Sequence, residues 1–384
     1  MQNFKSLLLI SSMLFIGCAQ LENWRSNNTL TREFQVKTSW VKQTTEKDNL
    51  GFRKINRMQP LIYNNMVIQS NGLDGITAFD KLNGQVRWKT AIKNGSEAGA
   101  AIINDRLFLG GSDGLFYSLN ANTGEVIWTF PTQLEIISEP LVDSGIVYFL
   151  TGNNSMYALD AATGKQVWLY TRQDASNISI RGGAKPTLRN GTLYVGFSDG
   201  FLVALLSQNG AIKWEKQLNK NKKFKDLDSN PIIENDYLYV MGFDDKVYCL
   251  RAATGDQVWK FDQGGYGQGF ISGDRYYFAS TEEKFVALNK MTGEVIWTVA
   301  IKEGIATSAA AYKGMIIFGE SQGKLNFVDS TNGKIMKTFD PGRGLMSQPV
   351  VDEKSNRVYF ISNEANLYSL DIGWNYIKRI PYLN

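Results

Sequence analysis

A glycine stands four residues ahead of a tryptophan at six places along this chain: Gly84/Trp88, Gly124/Trp128, Gly164/Trp168, Gly210/Trp214, Gly255/Trp259 and Gly293/Trp297. A seventh copy keeps its glycine, Gly333, but carries Lys337 in the tryptophan place. From Trp88 to Lys337 the steps are 40, 40, 46, 45, 38 and 40 residues. Such a period constrains the fold more than composition can. Each unit has an apolar face that only a neighbouring unit can cover.

One unit shows the local pattern. Residues 100–103 are apolar, Asn104-Asp105 is a turn, and 106–110 read as a strand. Ser112-Asp113-Gly114 is a second turn, and 115–119 alternate as a third strand. Asn122-Thr123-Gly124 is a third turn, and 125–130 form a fourth strand. Short strands joined at every step by Gly, Asp and Asn make an antiparallel meander. Pro60, Pro140, Pro186, Pro231 and Pro349 each open a first strand, where a missing N–H breaks no ladder.

Four-stranded sheets recurring at about 40–50 residues mark a β-propeller, with the tryptophans as flat wedges between blades. The ends set the blade count. After Lys337 there are three strands, 348–351, 357–362 and 366–371. At the other end 34–41 is an orphan strand that contains Trp40. The expected fold is therefore all-β: an eight-bladed propeller of four-stranded antiparallel blades, closed by an N-terminal strand that completes the last blade.

Composition narrows the function. With 43% hydrophobic and 20% charged residues the chain is globular, not disordered. Histidine is absent, which removes His-based triads, His–metal sites and imidazole acid–base chemistry. Lysine and arginine exceed aspartate and glutamate by 41 − 37 = 4, with both signs dispersed, so no nucleic-acid field is expected.

Residues 1–17 read as an export signal: Lys5, then an apolar stretch 7–16 too short to span a bilayer. Phe15-Ile16-Gly17-Cys18 resembles the bacterial lipobox, in which a small residue precedes the lipidated cysteine. Phe15 and Ile16 depart from the usual Leu and small residue. By the same resemblance Ala19 directs the protein to the outer membrane. The expected organisation is a signal over 1–17, a lipidated N-terminus and tether over 18–30, and one propeller over 31–384. Cys249, the other cysteine, lies in a strand-like run and reads as a small buried hydrophobe, with no intramolecular disulfide.

Residues 158–168 (ALDAATGKQVW) resemble the tryptophan-docking motif of pyrroloquinoline-quinone-type propellers, with close variants at 248–259 and 286–297. That resemblance implies the fold and leaves function open. Within it, quinone-dependent dehydrogenases are usually much longer. They carry an adjacent-cysteine disulfide and a calcium held by Glu, Asn and Asp; this chain has no Cys-Cys pair. Its size, lipobox and propeller together resemble the BamB family, lipoproteins of the outer-membrane β-barrel assembly machinery. The resemblance implies no cofactor, no metal and no catalytic residue.

Two lengthened steps hold a local resemblance. Ile178-Ser179-Ile180-Arg181-Gly182 and Asp226-Leu227-Asp228-Ser229-Asn230-Pro231 are similar to two loops through which BamB proteins contact the insertase BamA. Carried over by position, the contact residues are Ile178, Ile180, Arg181, Asp226 and Asp228. Both loops join a fourth strand to the next first strand, at adjacent junctions and on one face. A second reading pairs Arg181 with Asp226 and Asp228 inside the molecule, ordering the two loops; the two readings are compatible.

Residues 216–228 are locally basic, suited to an acidic partner, lipid headgroups or plain solvation. Asp113, Asp199 and Asp244 stand where tight turns need a carboxylate, which outweighs a metal ring. The implied function is a non-catalytic scaffold, monomeric within a hetero-complex on the periplasmic face of the outer membrane. It docks on BamA POTRA domains beside other assembly subunits and assists unfolded outer-membrane clients. The alternatives are a periplasmic quinone-dependent dehydrogenase-like propeller and a glycan-binding propeller.

Overall fold

The computed structural model of the chain describes residues 30–46, 56–132, 134–136, 138–172, 183–220, 225–227, 229–243 and 246–378. Its strands form eight four-stranded antiparallel sheets, the blades of a β-propeller. Seven are continuous: 61–91, 100–131, 141–171, 187–217, 232–261, 265–300 and 310–339.

The second blade shows why these residues fold this way. Its strands are Ala100–Ile103, Arg106–Gly110, Leu115–Asn120 and Val126–Pro131, the last starting one residue later than the pattern suggested. Asn104 and Asp105 turn the first hairpin with φ of 47° and 61°, a left-handed pair that these two residue types tolerate. At the third turn Asn120 Oδ1 accepts from the backbone N–H of Asn122 and Thr123, at 2.8 and 3.2 Å. Gly124 then completes it at φ 76°.

A register shift between the third and fourth strands recurs in each continuous blade, as between Ser118 and Leu119. Just before the shift a small residue faces the tryptophan. The pairs are Ala78 with Trp88, Ser118 with Trp128, Ala158 with Trp168, Ala204 with Trp214, Cys249 with Trp259 and Ala287 with Trp297. Directly opposed side chains share a sheet face, so a small partner leaves room for the indole. Cys249 is therefore buried as that small partner, and burial pushes its thiol up to about 11.

Each indole crosses to the next blade. Trp88 Nε1 donates to the Ala121 carbonyl at 3.1 Å, and Trp128 to Ala161 at 3.2 Å. Trp168 reaches Ser207 at 2.9 Å, Trp214 reaches Ala252 at 3.2 Å, Trp259 reaches Lys290 at 3.0 Å, and Trp297 reaches Ser330 at 3.0 Å. All these acceptors lie in the turn after a third strand. The ring rests on the glycine of that turn: a Cβ on Gly124 would stand 2.5 Å from Trp88.

The eighth blade is shared. It takes Val350–Asp352, Arg357–Ile361 and Asn366–Lys378 from the C-terminal side, with Leu30–Gln43 as its outermost strand. Both outer strands run longer than expected. After Asp371 come Ile372-Gly373-Trp374, without the glycine that stands four residues past the end of the third strand in each of the other seven blades, so the strand continues. Closure against the first blade is doubled. Trp40 Nε1 donates to the Lys81 carbonyl at 3.2 Å, and Arg357 Nη1 donates to it at 2.8 Å. Lys81 Nζ also meets Asp352 at 2.7 Å. Burial alone would raise the Asp352 carboxyl, but Lys81 and Ser355 hold it below its usual range.

By contacts the chain divides into two units. Thr38–Asp371 contains the propeller, and the remaining parts of the two long strands, 30–37 and 372–378, belong to the other.

Candidate functional site

The blades bury their second and third strands, and the connections between blades are free to vary. Those at 172–186 and 218–231 account for the two long steps in the repeat. Their ends are built into the propeller by charge and by close backbone approach.

Arg172 anchors the start of the first connection. It follows the strand Gln166–Thr171 and is 14% exposed. Its guanidinium pairs with Asp199, meets Glu215 Oε2 at 2.7 Å and lies 4.0 Å from the centre of the Phe201 ring. Burial alone would disfavour the charge, yet Asp199 and Glu215 hold the group protonated beyond its ordinary value. Lys185 anchors the other end, with its ammonium on Glu139.

The second connection is laced to blades on both sides. Leu227 is fully buried and its N–H donates to the Phe197 carbonyl at 3.1 Å. A Cβ on Gly196 would stand 2.0 Å from the Leu227 carbonyl oxygen, so only glycine allows this approach. Ser229 Oγ donates to the Met241 carbonyl at 2.7 Å and accepts from the Met241 N–H at 2.9 Å. The two connections also meet. The Lys185 N–H donates to Asn230 Oδ1 at 2.6 Å, and the Thr187 hydroxyl donates to the Pro231 carbonyl.

These contacts extend a polar belt along the positions two residues before the hairpin-paired part of the first strands. Gln59 Nε2 donates to Glu139 Oε2 at 3.3 Å, and Asn230 Nδ2 donates to Gln268 Oε1 at 2.9 Å. The Gln268 N–H donates to Ser308 Oγ at 2.6 Å. The second blade has Gly99 in this place, and a Cβ there would lie 2.6 Å from Glu139 Cβ. Glu139 thus takes the space Gly99 leaves and bridges Gln59 to Lys185. Chemically the arrangement is a hydrogen-bonded, charge-paired base from which the two connections leave the propeller.

Of the residues expected from sequence, Cys18, Ile178, Ile180, Arg181 and Asp228 lie outside the described residues. Asp226 is buried, and its carbonyl accepts the Phe243 N–H at 3.2 Å. Asp113 and Asp199 serve their turns. Asp113 accepts the Leu115 N–H at 3.1 Å and the Tyr117 hydroxyl at 2.6 Å, and Asp199 accepts the Phe201 N–H at 3.2 Å. Asp244 is outside the described residues. The anchors Arg172, Glu139 and Lys185 escaped the sequence reading. A signal for two of them was present, because Glu139-Pro140 and Lys185-Pro186 repeat the polar-Pro step of Gln59-Pro60 and Asn230-Pro231.

The family model described as outer membrane protein assembly factor BamB matches residues 73–299, more than half of the chain. A β-propeller model matches 264–351. BamB of Shewanella oneidensis is 25% identical over 321 residues, 78% of this chain and 81% of that protein. BamB of Escherichia coli K12 is 23% identical over 396 residues, covering 96% and 100%. The crystal structure of BamB from Moraxella catarrhalis superposes with a TM-score of 0.73 at 22% identity, over 86% of this chain and 100% of that one. A quinohemoprotein alcohol dehydrogenase from Pseudomonas putida shares the fold, with a TM-score of 0.71 at 13% identity.

The two cysteines are Cys18 and Cys249, so no adjacent pair exists. Among the described residues no three His, Cys, Asp or Glu side chains cluster to hold a metal. The family match spans four complete blades, all but the last residue of a fifth, and both lengthened connections. This chain belongs to the BamB family of outer membrane protein assembly factors.

Proposed function

We propose that the chain is a non-catalytic assembly factor, exported by residues 1–17 and held by lipid at Cys18 on the periplasmic face of the outer membrane. There it docks on the POTRA domains of BamA and assists insertion of β-barrel clients. The observation that carries this reading is the BamB family match together with the two connections, whose ends meet at Lys185 and Asn230. Ile178 and Ile180 supply apolar anchors to the partner. Arg181 and Asp228 supply charge. Asp226, expected beside them as a contact, is buried, and its backbone carbonyl accepts the Phe243 N–H. Arginine is a frequent interface hot spot because its planar fork binds carboxylates and carbonyls together. The lipid tether raises the local concentration of the partner, so a modest affinity suffices.

The test is binding of the mature chain to purified POTRA domains from the same organism, with Arg181→Glu beside it. A hot spot is worth at least about 2 kcal/mol, so binding should weaken by roughly 30-fold or more. Unchanged binding would move the interface away from these loops. No binding to POTRA domains by the unaltered chain would overturn the docking role.

A further inference from the structure

The unit made of 30–37 and 372–378 has a character the blades lack. Its residues belong to two strands of 14 and 13 residues, where the strands of the continuous blades have at most eight. In a strand alternate residues share a face, so Arg32 goes with Phe34, and Trp374 with Ile372 and Tyr376. The contacts bring the two sets together. The Arg32 guanidinium lies 4.7 Å from the centre of the Trp374 ring, and Phe34 meets that ring edge-on at 5.4 Å. Phe34 and Ile372 are each 4% exposed, Trp374 is half-buried, and Tyr376 is 70% exposed. Burial therefore fades along the strand toward an exposed tyrosine, and Arg32 is exposed as well.

The charges lean one way. Arg32, Lys37 and Lys378 stand against Glu33, and Arg379 follows in the sequence. Exposed Tyr with half-exposed Trp, next to cations, is the combination that settles at a membrane–water interface. Cations near an anionic lipid surface are attracted to it. The sequence adds a positional reason. Cys18 precedes Leu30 by 12 residues, and a segment of that length, fully extended, spans at most about 40 Å. A lipid at Cys18 would keep this ribbon within that reach of the bilayer.

We propose that the ribbon of 30–37 and 372–378 lies on anionic lipid headgroups, with Tyr376 and Arg32 making the contact. The stacking of Arg32 on Trp374 orders both side chains beforehand, which lowers the entropy lost on contact. The lipid at Cys18 and the ribbon then act as two linked attachments, and the second needs little affinity of its own. This inference rests on the membrane anchorage proposed above.

The experiment separates the two. The mature chain carrying Cys18→Ser, which has no lipid, is sedimented with vesicles of phosphatidylethanolamine and phosphatidylglycerol, and with vesicles of phosphatidylcholine. The expected result is binding to the phosphatidylglycerol vesicles alone. Arg32→Gln combined with Tyr376→Ser should lower the partition coefficient about tenfold, since one surface cation alone accounts for about fivefold. Both positions are exposed, so the folded chain is kept, and an unchanged unfolding midpoint verifies this. Failure of the unlipidated chain to sediment with phosphatidylglycerol overturns the proposal, as does equal binding by the double variant. Palmitate labelling of the Cys18 chain, absent in Cys18→Ser, tests the anchorage independently: labelling of the Cys18 chain with no vesicle binding by the Cys18→Ser chain removes the ribbon and leaves the anchor.

Discussion

Two neighbouring junctions of the ring are built differently. Between the sixth and seventh blades Trp297 lies opposite Ala287, 7% exposed, and donates to the Ser330 carbonyl at 3.0 Å. Its ring rests on Gly333, where a Cβ would stand 2.8 Å away. Between the seventh and eighth blades the same strand position is Lys337, exposed and opposite the large, buried Phe327. The eighth blade also has no turn after Asp371 to receive an indole, because its fourth strand comes from the other end of the chain. The glycine and the tryptophan of one repeat thus serve two different junctions. Gly333 is kept because it receives Trp297. Tryptophan is absent at 337 because no turn awaits it. The seventh–eighth junction relies instead on Phe339, whose ring meets Tyr368 at 5.6 Å and Phe360 at 6.1 Å, and on Gln348, which donates to the Ala309 carbonyl at 2.8 Å.

The largest effect should come from breaking ring closure. Deleting residues through Trp40 removes most of the outermost strand of the eighth blade and the indole on Lys81. It also bares a sheet edge. The expected loss exceeds the roughly 5 kcal/mol upper range of a single core truncation. Thermal unfolding of the truncated chain checks this, and an unchanged midpoint would show that the shared blade does not close the ring.

Next comes Trp297→Ala. It empties a site formed by Tyr277 and Phe285, with ring centres at 5.7 and 6.3 Å, and leaves the Ser330 carbonyl without the indole. Large-to-small changes of this kind cost about 3–5 kcal/mol. Chemical unfolding should show that loss in the midpoint, with the slope preserved. A loss below about 1 kcal/mol would mean the docked indole is not what couples the blades.

Much of this is legible in the sequence. Turn residues and alternating strands repeat often enough to fix strand order, the number of blades and the shared last blade. The boundaries drifted where a turn was missing: the strand expected to end at Asp371 runs to Lys378, because nothing after it favours a reversal. The pairing of each tryptophan with a small residue was hidden, since it depends on the register shift that sets which residues oppose each other. The candidate site was less legible. Arg172 reads as an ordinary surface cation until Asp199 and Glu215, 27 and 43 residues away, are brought beside it. Glu139 likewise gains its bridging position from the lack of a side chain at Gly99 in another blade. Relationships between blades are set by packing, and a single repeat carries no record of them.

The smallest expected effects sharpen the contrast most. Lys337→Ala should change stability by less than about 0.5 kcal/mol, as for an exposed residue without a structural partner. Lys337→Trp restores the repeat and should still bring no gain. Opposite Phe327 the indole would compete with a buried ring, and past Asp371 it would meet no turn carbonyl. Replacing Phe327 by Ala as well would supply the small partner found at Trp297, but not the receiving turn. If small partner and turn are both required, the Lys337→Trp/Phe327→Ala chain stays less stable than the parent, by the cost of emptying the Phe327 site. If the small partner alone suffices, adding Lys337→Trp to Phe327→Ala recovers most of the lost midpoint. Equilibrium unfolding of the two single variants and the pair, read as a double-mutant cycle, decides between them.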